Sequence, residues 1–292
     1  MKTERRRLHE ATGWRSKIVK PYLSVVLPAY NEAKHIEQNV IQVVDSLGDN
    51  GISFEVIVVD DGSPDRTHVA AIRAKARHPE LVRVVRYDKN QGKGNALICG
   101  ASYAKGAVVA FLDADMDLHP SQLIPMLKKM EADNVDVVIG SKRHPDSNVD
   151  YPRHRRILSS VYFLLVRLLF GLPVRDTQTG IKIYRRKVVE TVFPRVLAKR
   201  FAFDIEVLAI GHHFGFKVID APVSLHFGRK FSRVKLFDVW QTILDTLAVF
   251  YRLRIIRYYQ RRRIIPGLEH PATAGSREIV ENNGELLGRQ TD

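Results

Sequence analysis

The strongest constraint on this chain is a pattern repeated through its first half. A short run of β-branched and aliphatic residues is followed by a knot of polar and acidic ones, and then by a stretch with helical spacing. The runs fall at residues 22–28, 54–60 (FEVIVVD), 82–87, 108–113 (VVAFLD) and 135–141 (VDVVIGS). They are continuous rather than alternating, as in strands buried on both faces. Between them, Ile36, Val40, Val44 and Leu47 recur on one helical face within 32–47, and helices are expected over 92–105 and from His119-Pro120-Ser121 to about Glu131. Strand and helix in alternation at this spacing imply an α/β fold, with a Rossmann-like, mostly parallel sheet flanked by helices. Ligands of such sheets bind at the carboxyl ends of the strands. The polar knots Pro28-Ala29-Tyr30-Asn31-Glu32, Asp60-Asp61 and Asp113-Ala114-Asp115 all fall at those ends.

After residue 150 the pattern loosens. An apolar, basic helix is expected at 154–171, a loop at 176–180, a strand at 181–184, a helix at 203–214 and a strand at 216–223. A long C-terminal amphipathic basic helix is expected at 235–263. The remainder, 264–292, is polar with few large apolar residues, which predicts a disordered tail. The expected organisation is a basic arm at 1–20, a catalytic domain at 21–234, the helix 235–263 and the tail 264–292. Within the domain, residues 21–145 would form the donor half and 146–234 the acceptor half.

The formal net charge of +14 calls for an anionic partner. Basic residues gather in the N-terminal arm, around 142–156, and from 229 to 263. No nucleic-acid motif is present, and acids at the strand ends would repel a phosphate backbone, so nucleic acid is not the expected partner. One cysteine, Cys99, excludes an internal disulfide framework. No secretory signal is visible, which leads to a cytoplasmic expectation. The apolar stretch 157–172 falls short of the roughly 20 residues that span a bilayer, and Arg167 interrupts it. Both it and 239–256 read as helices lying in a membrane interface, with Tyr162, Phe163, Leu164, Leu168 and Phe170 dipping into it and Arg252, Arg254, Arg257 and Arg261–Arg263 meeting anionic headgroups, or, alternatively, packed in the core.

Asp113 and Asp115, two residues apart after a buried strand, can hold a hard divalent cation through oxygen, and Asp117 is placed to complete the site. The same acids can instead serve as turn and capping residues. One carboxylate of Asp60-Asp61 can accept hydrogen bonds from a nucleobase or ribose. Lys89 and Lys93, in the Gly-containing turn DKNQGKG, suit a phosphate.

Taken in order, LSVVLPAYNE, VIVVDDGSPD, DKNQGKGNAL and VVAFLDADMD resemble the inverting family 2 glycosyltransferases of GT-A fold. IGSKRH at 139–144, DTQTGIK at 176–182 and RFAFDIEVLAI at 200–210 resemble the polyprenyl- and dolichyl-phosphate glucose and mannose synthases within that family. The resemblance implies that Pro28, Tyr30 and Glu32 line the donor nucleotide together with Asp60. It also implies that Asp113, Ala114 and Asp115 meet the donor diphosphate through Mg²⁺ or Mn²⁺. The donor would be UDP-glucose or GDP-mannose and the acceptor a lipid phosphate, with inversion at the anomeric carbon. A family 2 enzyme with a non-lipid acceptor is the alternative.

Arg143, Arg156, Arg229 and Arg233, with Ser160, are the candidates for gripping the acceptor phosphate, Arg229 also acting in catalysis. The spacing of Arg156 and Ser160 resembles the family's acceptor site. Asp176, Asp204 and Glu206 would orient the sugar or the basic loop. Two departures stand out: Asp117 occupies a position where the mannose synthases usually carry Gln, and their R-x-x-G-x-S-K loop survives only as Gly228-Arg229-Lys230-Phe231-Ser232-Arg233. An enzyme of this kind would attach peripherally to the cytoplasmic face of a membrane, with a membrane protein as a further potential partner.

Overall fold

The computed structural model describes residues 20–149, 153–198, 202–225, 236–261, 273, 275–282 and 285–290. The arm at 1–19 and the loop carrying Arg229 and Arg233 lie outside them, as does the side chain of Arg156.

The elements in chain order are β1 (Leu23–Ala29), α1 (Ile36–Gly48), β2 (Phe54–Asp60), α2 (Thr67–Arg77), β3 (Val82–Tyr87), α3 (Lys93–Tyr103), β4 (Val108–Leu112), α4 (Leu123–Ala132) and β5 (Val137–Ser141). There follow α5 (Arg153–Phe170), β6 (Ile181–Arg185), α6 (Arg186–Val192), α7 (Phe203–His213), β7 (Val218–Pro222), α8 (Leu236–Phe250), a π-helical turn (Tyr251–Ile255), α9 (Tyr258–Arg261), β8 (Ser276–Asn282) and β9 (Glu285–Gln290). The strands form one sheet in the order β7-β5-β6-β4-β1-β2-β3-β8-β9. The β1–β2, β2–β3, β1–β4 and β5–β7 pairs are parallel. Strand β6 runs against both neighbours, β4 and β5.

The parallel block behaves as its composition dictates. Residues 23–27 of β1 and all of β2 are buried, because helices cover both faces. Val26, Ile57, Val59, Val85 and Val109 enter one apolar layer with Leu97 and Ile98 of α3. Val25, Leu27, Val56, Val58 and Ala110 enter the other with Ile36, Val40 and Leu47 of α1. Strand order reverses about β1, with β2 on one side and β4 on the other, and this opens a crevice at their carboxyl ends.

The C-terminal expectations need correction. The segment 235–263 is not one amphipathic helix: α8 passes into the π-helical turn, and Arg257 at φ 50° breaks the helical path before α9. The break has a partner in the core. Glu206 of α7 is fully buried and accepts from the backbone N–H of Leu197 at 2.8 Å and Ala198 at 2.6 Å. It also accepts from Arg252 at 3.2 Å and from the Tyr259 hydroxyl. Arg252 is therefore turned inward rather than free to meet headgroups, and Glu206 is a structural anchor rather than a group that orients the sugar. Tyr162 and Phe170, expected to dip into an interface, pack on the core as well: Phe170 is buried, and the Tyr162 hydroxyl bonds Thr246 of α8 at 2.9 Å. Val161, Leu164 and Leu168 of α5, and Trp240, Leu244 and Leu247 of α8, remain exposed.

The expected disordered tail contains an antiparallel hairpin, β8–β9, that extends the sheet beyond β3. Arg83 grips Glu278 through two bonds of 3.0 and 2.8 Å, and the backbone groups along the β3 edge gain partners. Glu206→Ala would leave Arg252 and two backbone donors uncompensated in the interior. A stability loss of about 3 kcal/mol is expected in chemical denaturation; an unchanged midpoint would show that the cluster does not hold the C-terminal segment.

Candidate active site

A cavity of about 720 Å³ opens at the carboxyl edge of the sheet. Three of the loops that build it come from the polar knots. After β1, Pro28, Ala29, Tyr30 and Glu32 line the wall. Their turn is held by Asn31 N–H to Ser63 Oγ at 3.1 Å and Glu32 N–H to Thr67 Oγ1 at 2.9 Å, with Asn31 in the left-handed region at φ 59°. After β2 it is Asp61, not Asp60, that faces the cavity. Asp60 is fully buried behind it, accepting from Ser63 N–H at 3.1 Å and lying 3.4 Å from Arg86 Nε. Burial raises the Asp60 carboxyl above its ordinary value, partly offset by Ser63 and Arg86.

Asp61 clamps the next loop, accepting from the backbone N–H groups of Gln91 and Gly92 at 2.8 Å each. Burial raises its pKa too, opposed by those two bonds. Gly62, at φ 65°, lets the two turns meet: a β-carbon there would sit 2.3 Å from the Lys89 carbonyl carbon. The clamp fixes Gly92, and with it the start of α3, so that Asn90, Gly92 and Lys93 line the cavity.

After β4, Asp113, Ala114 and Asp115 enter the cavity. Asn39 of α1 donates to the Ala114 carbonyl at 2.5 Å, and Met116 at φ 56° completes a tight turn. Lys93 Nζ lies 2.5 Å from Asp113 Oδ1. Burial lowers the Lys93 pKa, but Asp113, Asp204 and Asp115 outweigh it and the net shift is upward. Burial raises Asp115, reinforced by the neighbouring Asp113 charge. Asp117 does not line the cavity; its backbone N–H bonds Asp115 Oδ1 at 3.2 Å. Among the described residues no group of three His, Cys, Asp or Glu side chains is arranged to hold a metal ion. The Asp113–Asp115 pair nonetheless fits a hard cation, since both offer oxygen and an ammonium already stands against one of them. Water and phosphate would have to supply the other ligands.

The far wall comes from the second half of the chain. Asp176 braces its loop, accepting from Gln178 N–H at 2.9 Å, Thr179 Oγ1 at 2.7 Å and Lys142 N–H at 3.2 Å. The buried Lys182 bonds Asp204 at 2.8 Å and the Thr179 carbonyl at 2.5 Å. Gly180 packs flat on Asp113, and a β-carbon there would fall 2.2 Å from Oδ2. Gln178, Phe203 and Asp204 thereby line the cavity, and the Gln178 Nε2 is buried with no hydrogen-bond partner among the described residues. The Phe203 ring backs this wall against Phe111 and Phe193, with centroids 6.1 Å from each.

Of the donor residues expected from sequence, Pro28, Tyr30, Glu32, Lys93, Asp113, Ala114 and Asp115 converge on the cavity and Asp60 does not. Asp61 and Gln178 stand beside or within motifs legible in the sequence, but no spacing rule singled them out. Of the acceptor residues, Arg143 and Ser160 meet each other, with Arg143 Nη2 at 3.1 Å from Ser160 Oγ and its guanidinium 5.2 Å above the Phe163 ring.

Residues 24–193 match the sequence family described as Glycosyl transferase family 2. Glycosyltransferase AglD of Haloferax volcanii is 34% identical over 69% of this chain and 32% of its own length. A dolichol-phosphate mannosyltransferase of Pyrococcus furiosus is 31% identical over 79% of this chain and 63% of that one. A dolichyl-phosphate beta-glucosyltransferase, ALG5D, of Trichomonas vaginalis is 30% identical over 80% and 75%. The chain thus spans about a third of the first relative and under two thirds of the second. Glucosyl-3-phosphoglycerate synthase of Mycobacterium tuberculosis, solved with Mn²⁺, UDP-glucose and phosphoglyceric acid, shares the fold with a TM-score of 0.57 at 22% identity, covering 79% of this chain and 80% of that one. With the GT-A-like sheet and the family match across more than half its length, this chain belongs to glycosyltransferase family 2.

Proposed function

We propose that the chain transfers a hexose from a nucleotide-sugar donor, UDP-glucose or GDP-mannose, to a polyprenyl or dolichyl phosphate, with inversion at the anomeric carbon. The carrying observation is the meeting of Asp113, Asp115 and Lys93 in one cavity at the topological switch of the sheet. On the β1–β3 side, Pro28, Tyr30, Glu32 and Asp61 form a surface for the nucleoside. Gln178, Phe203 and Asp204 form the opposite wall, suited to the hexose, with Asp204 accepting from hydroxyls.

Asp113 and Asp115 would hold Mg²⁺ or Mn²⁺, which supplies neutralisation of charge on the departing diphosphate. A lipid phosphate needs no strong base, because a monoester with a second pKa near 6 is mostly dianionic at neutral pH. Its oxygen bonds to the anomeric carbon as the bond from that carbon to the donor's phosphate breaks, and the electron pair leaves with the diphosphate. The protein's share is to hold two anions in line. Arg143 with Ser160 is suited to the acceptor phosphate, joined by Arg156, Arg229 and Arg233. The exposed Val161, Leu164, Leu168, Trp240, Leu244 and Leu247 would face the lipid tail and the membrane surface. Attachment would be peripheral, at the cytoplasmic face and with or without a membrane-protein partner; none of the described helices is long and apolar enough to cross a membrane.

The relatives named as dolichyl- or dolichol-phosphate transferases support the lipid acceptor. The solved fold-mate carries phosphoglyceric acid, which favours a soluble phosphate acceptor as the second reading. Incubation with membranes, Mn²⁺ and labelled UDP-glucose or GDP-mannose, followed by lipid extraction, separates the two. Label should enter the organic phase with one donor; label confined to water-soluble product would contradict the lipid reading. Asp115→Ala should abolish transfer, and undiminished turnover would reject the metal assignment. Gly180→Ala should lower kcat about 100-fold in a folded protein, because it displaces Asp113 by the width of a methyl group; wild-type kcat would show that the Gly180–Asp113 contact does not set the geometry.

A further inference from the structure

The two oxygens of Asp113 are not equivalent. Gly180 covers Oδ2 so closely that a single added carbon would collide with it. Lys93 Nζ stands 2.5 Å from Oδ1. The ammonium thus stands against the oxygen on the side away from Gly180. The side chains of Lys93 and Asp113 are 46% and 31% exposed, so the pair faces the cavity rather than the core and is free to part. The backbone of Lys93 is not free, because Asp61 fixes Gly92 at the start of α3. Any change is therefore a swing of the lysine stem alone.

We propose that Lys93 is a place-holding cation: it neutralises Asp113 in the donor-free protein and yields that oxygen only when a divalent ion enters together with a diphosphate. The inference rests on the donor and metal reading above and adds an order of events to it. A metal ion arriving alone must detach Lys93 and leave an ammonium beside a dication, with Asp204, already bonded to Lys182, as the carboxylate left to receive it. A metal ion arriving with the diphosphate supplies the lysine with a new partner, since phosphate oxygens lie where the metal lies. Metal and nucleotide then bind with positive coupling, reciprocal by linkage. The free protein neither traps divalent ions nor exposes an uncompensated pair of carboxylates.

Mn²⁺ titration of the full chain, followed by the electron paramagnetic resonance of free Mn²⁺, tests this with and without UDP. In the wild type, UDP should tighten Mn²⁺ binding ~10- to 100-fold. Lys93→Met should tighten Mn²⁺ binding in the absence of UDP about 10-fold and shrink the tightening by UDP to a few-fold. Lys93→Arg, which keeps the charge, should stay close to wild type. Lys34→Met removes an exposed charge from the loop after β1 and should leave donor-free Mn²⁺ affinity unchanged. The proposal is overturned if Lys93→Met leaves donor-free Mn²⁺ affinity unaltered, or if Lys34→Met raises it equally, which would mark a general field effect. Absence of Mn²⁺ binding by wild type with UDP and with GDP alike would overturn the metal reading as well, which sets that failure apart from the failure of the place-holder alone.

Discussion

Like charges must be brought together at the carboxyl edge of this sheet, and the arrangement around Asp113 is what makes that possible. Two carboxylates two residues apart repel each other and would repel a diphosphate. A cation has to stand between them. An ammonium stands against Asp113, delivered by the first residue of α3, whose start the Asp61 clamp fixes. Every neighbouring feature serves this point: Asn39 pins the turn from α1, Gly180 presses on it from the Asp176 loop, and Lys182 ties that loop to Asp204.

The parallel half of the fold was legible because burial on both faces leaves an unmistakable mark. The runs at 54–60 and 82–87 coincide with β2 and β3, and the others agree within a residue or two. The direction of β6 was not legible, since a five-residue strand, IKIYR, reads the same in either orientation. Nor was the hairpin at the C-terminus. Its local composition is too polar to predict order, and its partners, the β3 edge and Arg83, lie nearly two hundred residues away in the chain. The break at Arg257 was hidden for a similar reason: the helical pattern of 235–263 is sound locally, and the buried Glu206 that recruits Arg252 and Tyr259 belongs to α7.

At the site, spacing located the acids but not their directions. Asp60 and Asp61 are adjacent letters, and only the turn sends one into the core and the other to the cavity wall. Asp113 and Asp115 were found because a strand end presents both. Asp117 falls past the turn made by Met116 and does not join them at the cavity. Gln178 and Gly180 owe their place to a loop that crosses from the second half of the chain. Their importance is tertiary, and one-dimensional spacing carries no trace of it.

The central claim is that Asp113 and Asp115 meet a donor diphosphate through a divalent ion. It is tested most directly by a crystal soaked with Mn²⁺ and UDP and measured at a wavelength where manganese scatters anomalously. The account predicts an anomalous peak within about 2.0–2.6 Å of an Asp115 carboxylate oxygen, bridging to the pyrophosphate. Pyrophosphate lodged elsewhere, with no peak beside residues 113–115, would contradict it.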